Sequence, residues 1–193
     1  MASQEMTLLP TGTGEARKLP RDGLSVDRPD WLPDGRHILF TGNEAGRGAR
    51  VYTQDVAGGH PEAVTPEGFR SFLGTVSPDG KFFVALDPDR KIVLYPLGGG
   101  QPKAIPGISG SETPVRWSAD GRMLFVYRRG ELPAHVDELD VASGRREPWK
   151  ELMPADPAGI IDIIAIRPTP DGRSYAYSYA RVLSNLFLVD GLR

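Results

Sequence analysis

The sequence predicts an all-β protein: a β-propeller, or an arc of one, with about four four-stranded blades preceded by an N-terminal partial blade. Two observations carry this. An Asp-Gly turn set between short apolar strands occurs four times, in Trp31-Leu32-Pro33-Asp34-Gly35-Arg36, Val76-Ser77-Pro78-Asp79-Gly80-Lys81, Trp117-Ser118-Ala119-Asp120-Gly121-Arg122 and Pro168-Thr169-Pro170-Asp171-Gly172-Arg173. The spacing, roughly 40 to 50 residues, is that of a propeller blade. The second observation is compositional: 23 Gly and 18 Pro among 193 residues sit between apolar runs, which suits many short strands joined by turns.

Each unit reads as two hairpins. In the first, Asp27 to Leu32 leads into Pro33-Asp34-Gly35, where Pro presets φ, Asp bonds nearby backbone and Gly accepts positive φ. His37 to Thr41 returns, Arg50 to Val56 forms a third strand, and Ala57-Gly58-Gly59-His60 turns into a short outer strand, Pro61 to Thr65. The second unit runs from about Phe72 through Phe82 to Leu86 and Ile92 to Leu97, turns at Gly98-Gly99-Gly100, and ends with Pro102 to Ile105. The third starts near Pro114, continues through Met123 to Tyr127 and His135 to Val141, turns at Ser143-Gly144 and closes near Glu147 to Trp149. The fourth supplies Ile163 to Arg167, Ser174 to Tyr179 and Leu186 to Val189, without an outer strand.

The N-terminal stretch supplies a complementary half, with strands at Met6 to Leu9 and Glu15 to Leu19 around a turn at Gly12 to Gly14. Blade units thus span approximately 4–24 (partial), 25–70, 71–111, 112–157 and 158–193. Glu15 to Leu19 would complete the last blade and leave Met6 to Leu9 as a surplus strand, so either that strand lies outside a closed four-blade ring or the chain is an arc of a larger propeller. The arc is the preferred reading. It leaves apolar blade faces at both ends and predicts association with a second copy or another segment.

A net charge of -2 with mixed signs argues against a nucleic-acid surface or a basic membrane patch. Cysteine is absent, which excludes disulfides, thiolate metal sites and a cysteine nucleophile. Met1-Ala2-Ser3-Gln4-Glu5 does not read as a secretory leader, and the longest apolar run, Ile160 to Ile166, is broken by Asp162. The expectation is a soluble chain without direct membrane contact, its compartment unreadable.

The pattern Trp-x-Pro-Asp-Gly-Arg before an apolar strand, followed by Val51-Tyr52-Thr53-Gln54-Asp55-Val56-Ala57-Gly58-Gly59, resembles the TolB-like propeller repeats also called PD40 or WD40-like, over nearly the whole chain. The ending, Ser174-Tyr175-Ala176-Tyr177-Ser178-Tyr179-Ala180-Arg181-Val182-Leu183-Ser184-Asn185-Leu186-Phe187-Leu188-Val189-Asp190-Gly191-Leu192, resembles the C-terminus of bacterial multidomain proteins that carry a serine/threonine kinase, or less often a winged-helix regulator, ahead of such a propeller. The resemblance implies a sensory or protein-interaction propeller at the end of a signalling protein. The chain itself has no His-Arg-Asp loop, no Asp-Phe-Gly and no glycine-rich nucleotide loop.

Catalytic patterns fail one by one. Gly74 to Lys81 ends like a phosphate loop, but its spacing is one residue too long and Phe82 stands where Ser or Thr is needed. Gly107-Ile108-Ser109-Gly110-Ser111 misses the nucleophile elbow by a residue. His37, His60 and His135 lie far apart and read as structural, and Asp87 and Asp89 flank Pro88 in a solvated turn. No catalytic, metal or cofactor site is predicted. The repeated Asp34, Asp79, Asp120 and Asp171 read as turn scaffold, and Trp31 and Trp117 as fillers between neighbouring blades.

The non-repeating positions are the candidates for binding. Asp30, Thr75, Arg116 and Arg167 fall at one matching site on the innermost strands and are expected to rim the channel, the alternative being interblade salt bridges or solvent exposure. Arg128, Arg129 and Glu131, in an insertion of the third unit, are expected contact-loop residues. The function expected is noncatalytic recognition of a protein, a peptide or another ligand. A propeller hydrolase or lyase with a channel active site, and a structural oligomerisation scaffold, are the alternatives.

Overall fold

A computed structural model describes residues 6–184. The strand expected at Leu186 to Val189 lies outside these residues. A first hairpin pairs β1 (Thr7–Leu8) with β2 (Arg17–Lys18). Three four-stranded antiparallel sheets follow. They comprise β3 (Ser25–Trp31), β4 (His37–Asn43), β5 (Arg50–Asp55) and β6 (Glu62–Ala63); β7 (Arg70–Val76), β8 (Phe82–Leu86), β9 (Ile92–Pro96) and β10 (Lys103–Ala104); and β11 (Glu112–Trp117), β12 (Met123–Arg128), β13 (Ala134–Asp140) and β14 (Arg146–Leu152). A last pair, β15 (Ile160–Pro168) and β16 (Tyr175–Arg181), forms a two-stranded sheet. Each sheet follows chain order, and the innermost strands β3, β7, β11 and β15 neighbour one another in series.

Strand alternation explains how the sheets stack. Successive side chains point to opposite faces, so a central strand flanked by two blades must be apolar on both. On β4, Ile38 and Phe40 pack with Met6, Leu19 and Tyr52 toward the first hairpin, while Leu39 joins Val51, Phe83 and Tyr95 toward the second blade. The same division recurs on β8, where Phe83 faces back and Val84 faces forward to Trp117 and Leu124. On β12, Phe125 meets Ile163 and Ile166 of the last pair. Among the described residues the stacking ends at β15, whose Ile161 and Ile164 are 56% and 45% exposed.

The four Asp-Gly turns share one geometry. Gly35, Gly80, Gly121 and Gly172 have φ between 65° and 70°, and each preceding Asp accepts the backbone N–H two residues on at 2.8–3.1 Å. Ser77, Ser118 and Thr169 hydroxyls also donate to Asp79, Asp120 and Asp171. These bonds favour the charged form and lower all four carboxyl pKa values, that of Asp34 to about 2. Folded values below unfolded ones give stability that is present above the ordinary carboxylate value, about 4, and lost as pH falls through the folded values. Urea unfolding from neutral pH to pH 2 is expected to show stability falling below about pH 4. In the quadruple Asp→Asn variant that fall should be visibly shallower, and an unchanged slope would contradict the assignment.

Candidate binding channel

Each innermost strand carries a bulge, between Asp27 and Asp30, Ser71 and Val76, Pro114 and Arg116, and Ile163 and Ala165. A bulge breaks alternation and re-aims side chains, so the inner strands present irregular groups toward the channel. Two cavities result, at two levels. Residues just before the Asp-Gly turns line the first, and those about three positions earlier line the second.

The turn-side cavity, about 450 Å³, is lined by Asp30, Trp31, Arg116 and Trp117 and walled by Pro33, Pro78 and Pro170. Asp30 bridges two blades: Oδ2 accepts the Gly74 N–H at 2.9 Å and Oδ1 accepts that of Trp31 at 3.0 Å. Burial pushes its carboxyl pKa up, against the opposing pull of those two N–H groups and of Arg116 and Arg167 nearby. The half-buried Arg116 guanidinium forms no hydrogen bond or ion pair among the described residues. A carboxylate and a guanidinium lining one cavity can orient a ligand that carries polar groups of both kinds.

The four matching positions part company. Asp30 and Arg116 share the turn-side cavity, and Arg167 reaches the second one. Thr75 is fully buried, its Oγ1 donating to the Phe72 carbonyl at 2.8 Å, so a short hydroxyl side chain satisfied by its own strand sits inside the blade and not on the rim. The two matching tryptophans also differ. Trp117 is 4% exposed and donates from Nε1 to the Thr75 carbonyl of the preceding blade at 2.8 Å. Trp31, expected to pack in the same way, is 51% exposed, because among the described residues the sheet before it holds β1 and β2 and no inner strand that could cover the indole.

The contact-loop residues are partly committed. Arg129 makes a two-pronged bond to Asp162, which also accepts the Gly130 N–H, clasping the third blade to β15. Arg128 and Glu131 form an exposed pair at 3.5 Å. Tyr127 donates from its hydroxyl to the Ile164 carbonyl at 3.0 Å, and Thr41 at the matching position pairs with Ser71 at 2.9 Å, so one strand position serves as an interblade tie twice.

The histidines are separate. His37 pairs with Asp34, His60 with Asp22 and His135 with Glu151. Among the described residues no group of three or more His, Asp or Glu lies close enough together to hold a metal ion. No described helix is long and apolar enough to cross a membrane.

Sequence reading missed Arg28 and Gly74. Arg28 holds a φ of 56° at the first bulge and donates to the Ser71 carbonyl, while Gly74, at φ 79°, lets two blades approach. Lining up the units would have put Arg28 at the same position as Leu73, Pro114 and Ala165, but bulges are not visible in such a register.

Sheets radiating from four serial inner strands define a β-propeller fold. Among solved structures, a protein assigned as TolB in Agrobacterium tumefaciens superposes with a TM-score of 0.70 at 17% identity, over 93% of this chain and 64% of that one. TolB from Acinetobacter baumannii gives 0.57 at 22% identity, over 89% and 47% respectively. An oligogalacturonate lyase in complex with manganese gives 0.55 at 16% identity, over 90% and 59%. These likenesses show the fold, and the chain spans between about half and two thirds of each of those structures. Neither a family model nor a curated protein matches the sequence.

Proposed function

We propose that the chain is a noncatalytic recognition module that binds a protein segment or peptide at the turn-side mouth of its channel. The observation that carries this reading is the juxtaposition of exposed Trp31, half-buried Asp30 and half-buried Arg116 in one proline-walled cavity. An aromatic anchor beside charged groups is the usual composition of a binding hot spot. The two-stranded sheets at either end of the described residues support the further reading that the blade units at 25–70, 71–111 and 112–157 belong to an arc of a larger ring, completed by another stretch of polypeptide or by a second copy. The C-terminal resemblance supports placing that arc in a bacterial signalling protein such as a serine/threonine kinase.

The test is selection of peptides from a random displayed library on the wild-type chain, followed by affinity measurement on Trp31→Ala and Arg116→Glu. Loss of about tenfold or more in affinity on Trp31→Ala is expected, the size of one hot-spot truncation. Peptides that bind both variants as they bind the wild type would remove the site. Turnover of an oligogalacturonate or a peptide, abolished by Arg116→Glu, would replace recognition with catalysis.

A further inference from the structure

The second cavity, about 270 Å³, opens at the level of Arg28, Leu73, Pro114 and Ala165, away from the Asp-Gly turns. Its charge is one-sided. Arg28, Arg129 and Arg167 line it from three different blades, and no carboxylate does. Arg129 is committed to Asp162, and Arg28 meets the exposed Asp27 at 3.3 Å while donating to the Ser71 carbonyl. Arg167 donates only to the Ile166 carbonyl, at 2.9 Å, and has no carboxylate within ion-pair distance among the described residues. Between the guanidinium groups the wall is apolar, formed in part by Leu73, Val115 and Ile164, with Leu73 and Ile164 exposed.

A guanidinium presented at a partly apolar wall selects a planar anion that brings its own apolar group. The cavity has room for a carboxylate and about one side chain, too little for a long acyl chain, and a bare phosphate would leave the apolar wall uncovered. We infer that this mouth of the channel binds the C-terminal carboxylate of a peptide whose last side chain is apolar, with Arg167 as the principal anion partner and Arg28 flanking it. The non-glycine positive φ of Arg28 fits this reading, since strained backbone concentrates at ligand-contacting positions. The site shares neither Trp31 nor Arg116 with the turn-side mouth, and Arg167 reaches that mouth only through its charge on Asp30.

The test is an NMR titration of the full chain with N-acetyl-Gly-Leu, its C-terminal amide and inorganic phosphate in parallel. The free acid is expected to shift the amides of Leu73, Val115 and Ala165 at millimolar concentration, with the amide form binding about tenfold more weakly, one charge-assisted contact. Arg167→Gln should weaken the acid by a similar factor with the remaining spectrum unchanged, and Arg28→Gln by less. Trp31→Ala should leave the titration as it is, which separates this site from the one proposed above. No shift with the acid, equal binding of acid and amide, phosphate binding as tightly as the acid, or indifference to Arg167→Gln would each overturn the assignment.

Discussion

Trp117→Ala is expected to destabilise the fold by about 3–5 kcal/mol, the range for truncating a large buried aromatic side chain. Trp31→Ala, at the matching position two units earlier in the repeat, is expected to change stability by no more than about 0.5 kcal/mol, as for an exposed residue. The difference is environmental. Trp117 fills the seam with Val84, Ile92, Leu124 and Leu139 and ties its indole N–H to the preceding inner strand, whereas Trp31 has, among the described residues, no inner strand on its preceding side. Urea unfolding of both variants at low protein concentration checks the contrast. In a longer polypeptide carrying a preceding blade, or where sedimentation shows copies associating end to end, the Trp31→Ala cost should rise toward that of Trp117→Ala. Equal costs in the isolated, monomeric chain would mean that Trp31 is already covered and that the half-blade is not open.

The second large effect is expected at Gly74. Its φ of 79° strains any L side chain, and a Cβ there would stand 2.9 Å from the Val115 carbonyl oxygen of the next blade. Gly74→Ala is expected to cost about 1–2 kcal/mol from backbone conformation alone, with a further loss as the second and third blades separate. Gly35→Ala is the control. Its φ is similar, 65°, but an added Cβ would meet nothing within 4 Å, so only the backbone part, about 1–2 kcal/mol, should appear. Denaturant titration of the two variants isolates the interblade component, and equal costs would show that the close approach of Gly74 to Val115 is not maintained. Because the Gly74 N–H also holds Asp30, peptide affinity at the turn-side mouth should fall with Gly74→Ala and not with Gly35→Ala.

The turns were legible because their determinants are local. Asp34, Gly35 and their three counterparts carry the whole geometry within a few consecutive residues, so the repeat could be read without neighbours. Strand positions were legible for a similar reason, since the alternation of Ile38, Leu39 and Phe40 is written along one segment. The rim was legible only as a register. Asp30, Thr75, Arg116 and Arg167 hold one repeat position, yet bulges and hydroxyl satisfaction turned Thr75 inward and sent Arg167 to the other cavity. Arg28 and Gly74 left no readable signal beyond their place in the repeat, because positive φ at an arginine and a 2.9 Å approach between blades exist only once the sheets are packed.

By itself the sequence determined the all-β class, the blade period, the four reversals and the apolar seams, since each depends on residues within a hairpin's reach. Tertiary structure decided which of two matching tryptophans is buried, which rim residues share a cavity, and where three guanidinium groups meet an apolar wall. Those outcomes depend on side chains separated by a blade or more of sequence, and on what lies across each seam, so no local pattern encodes them.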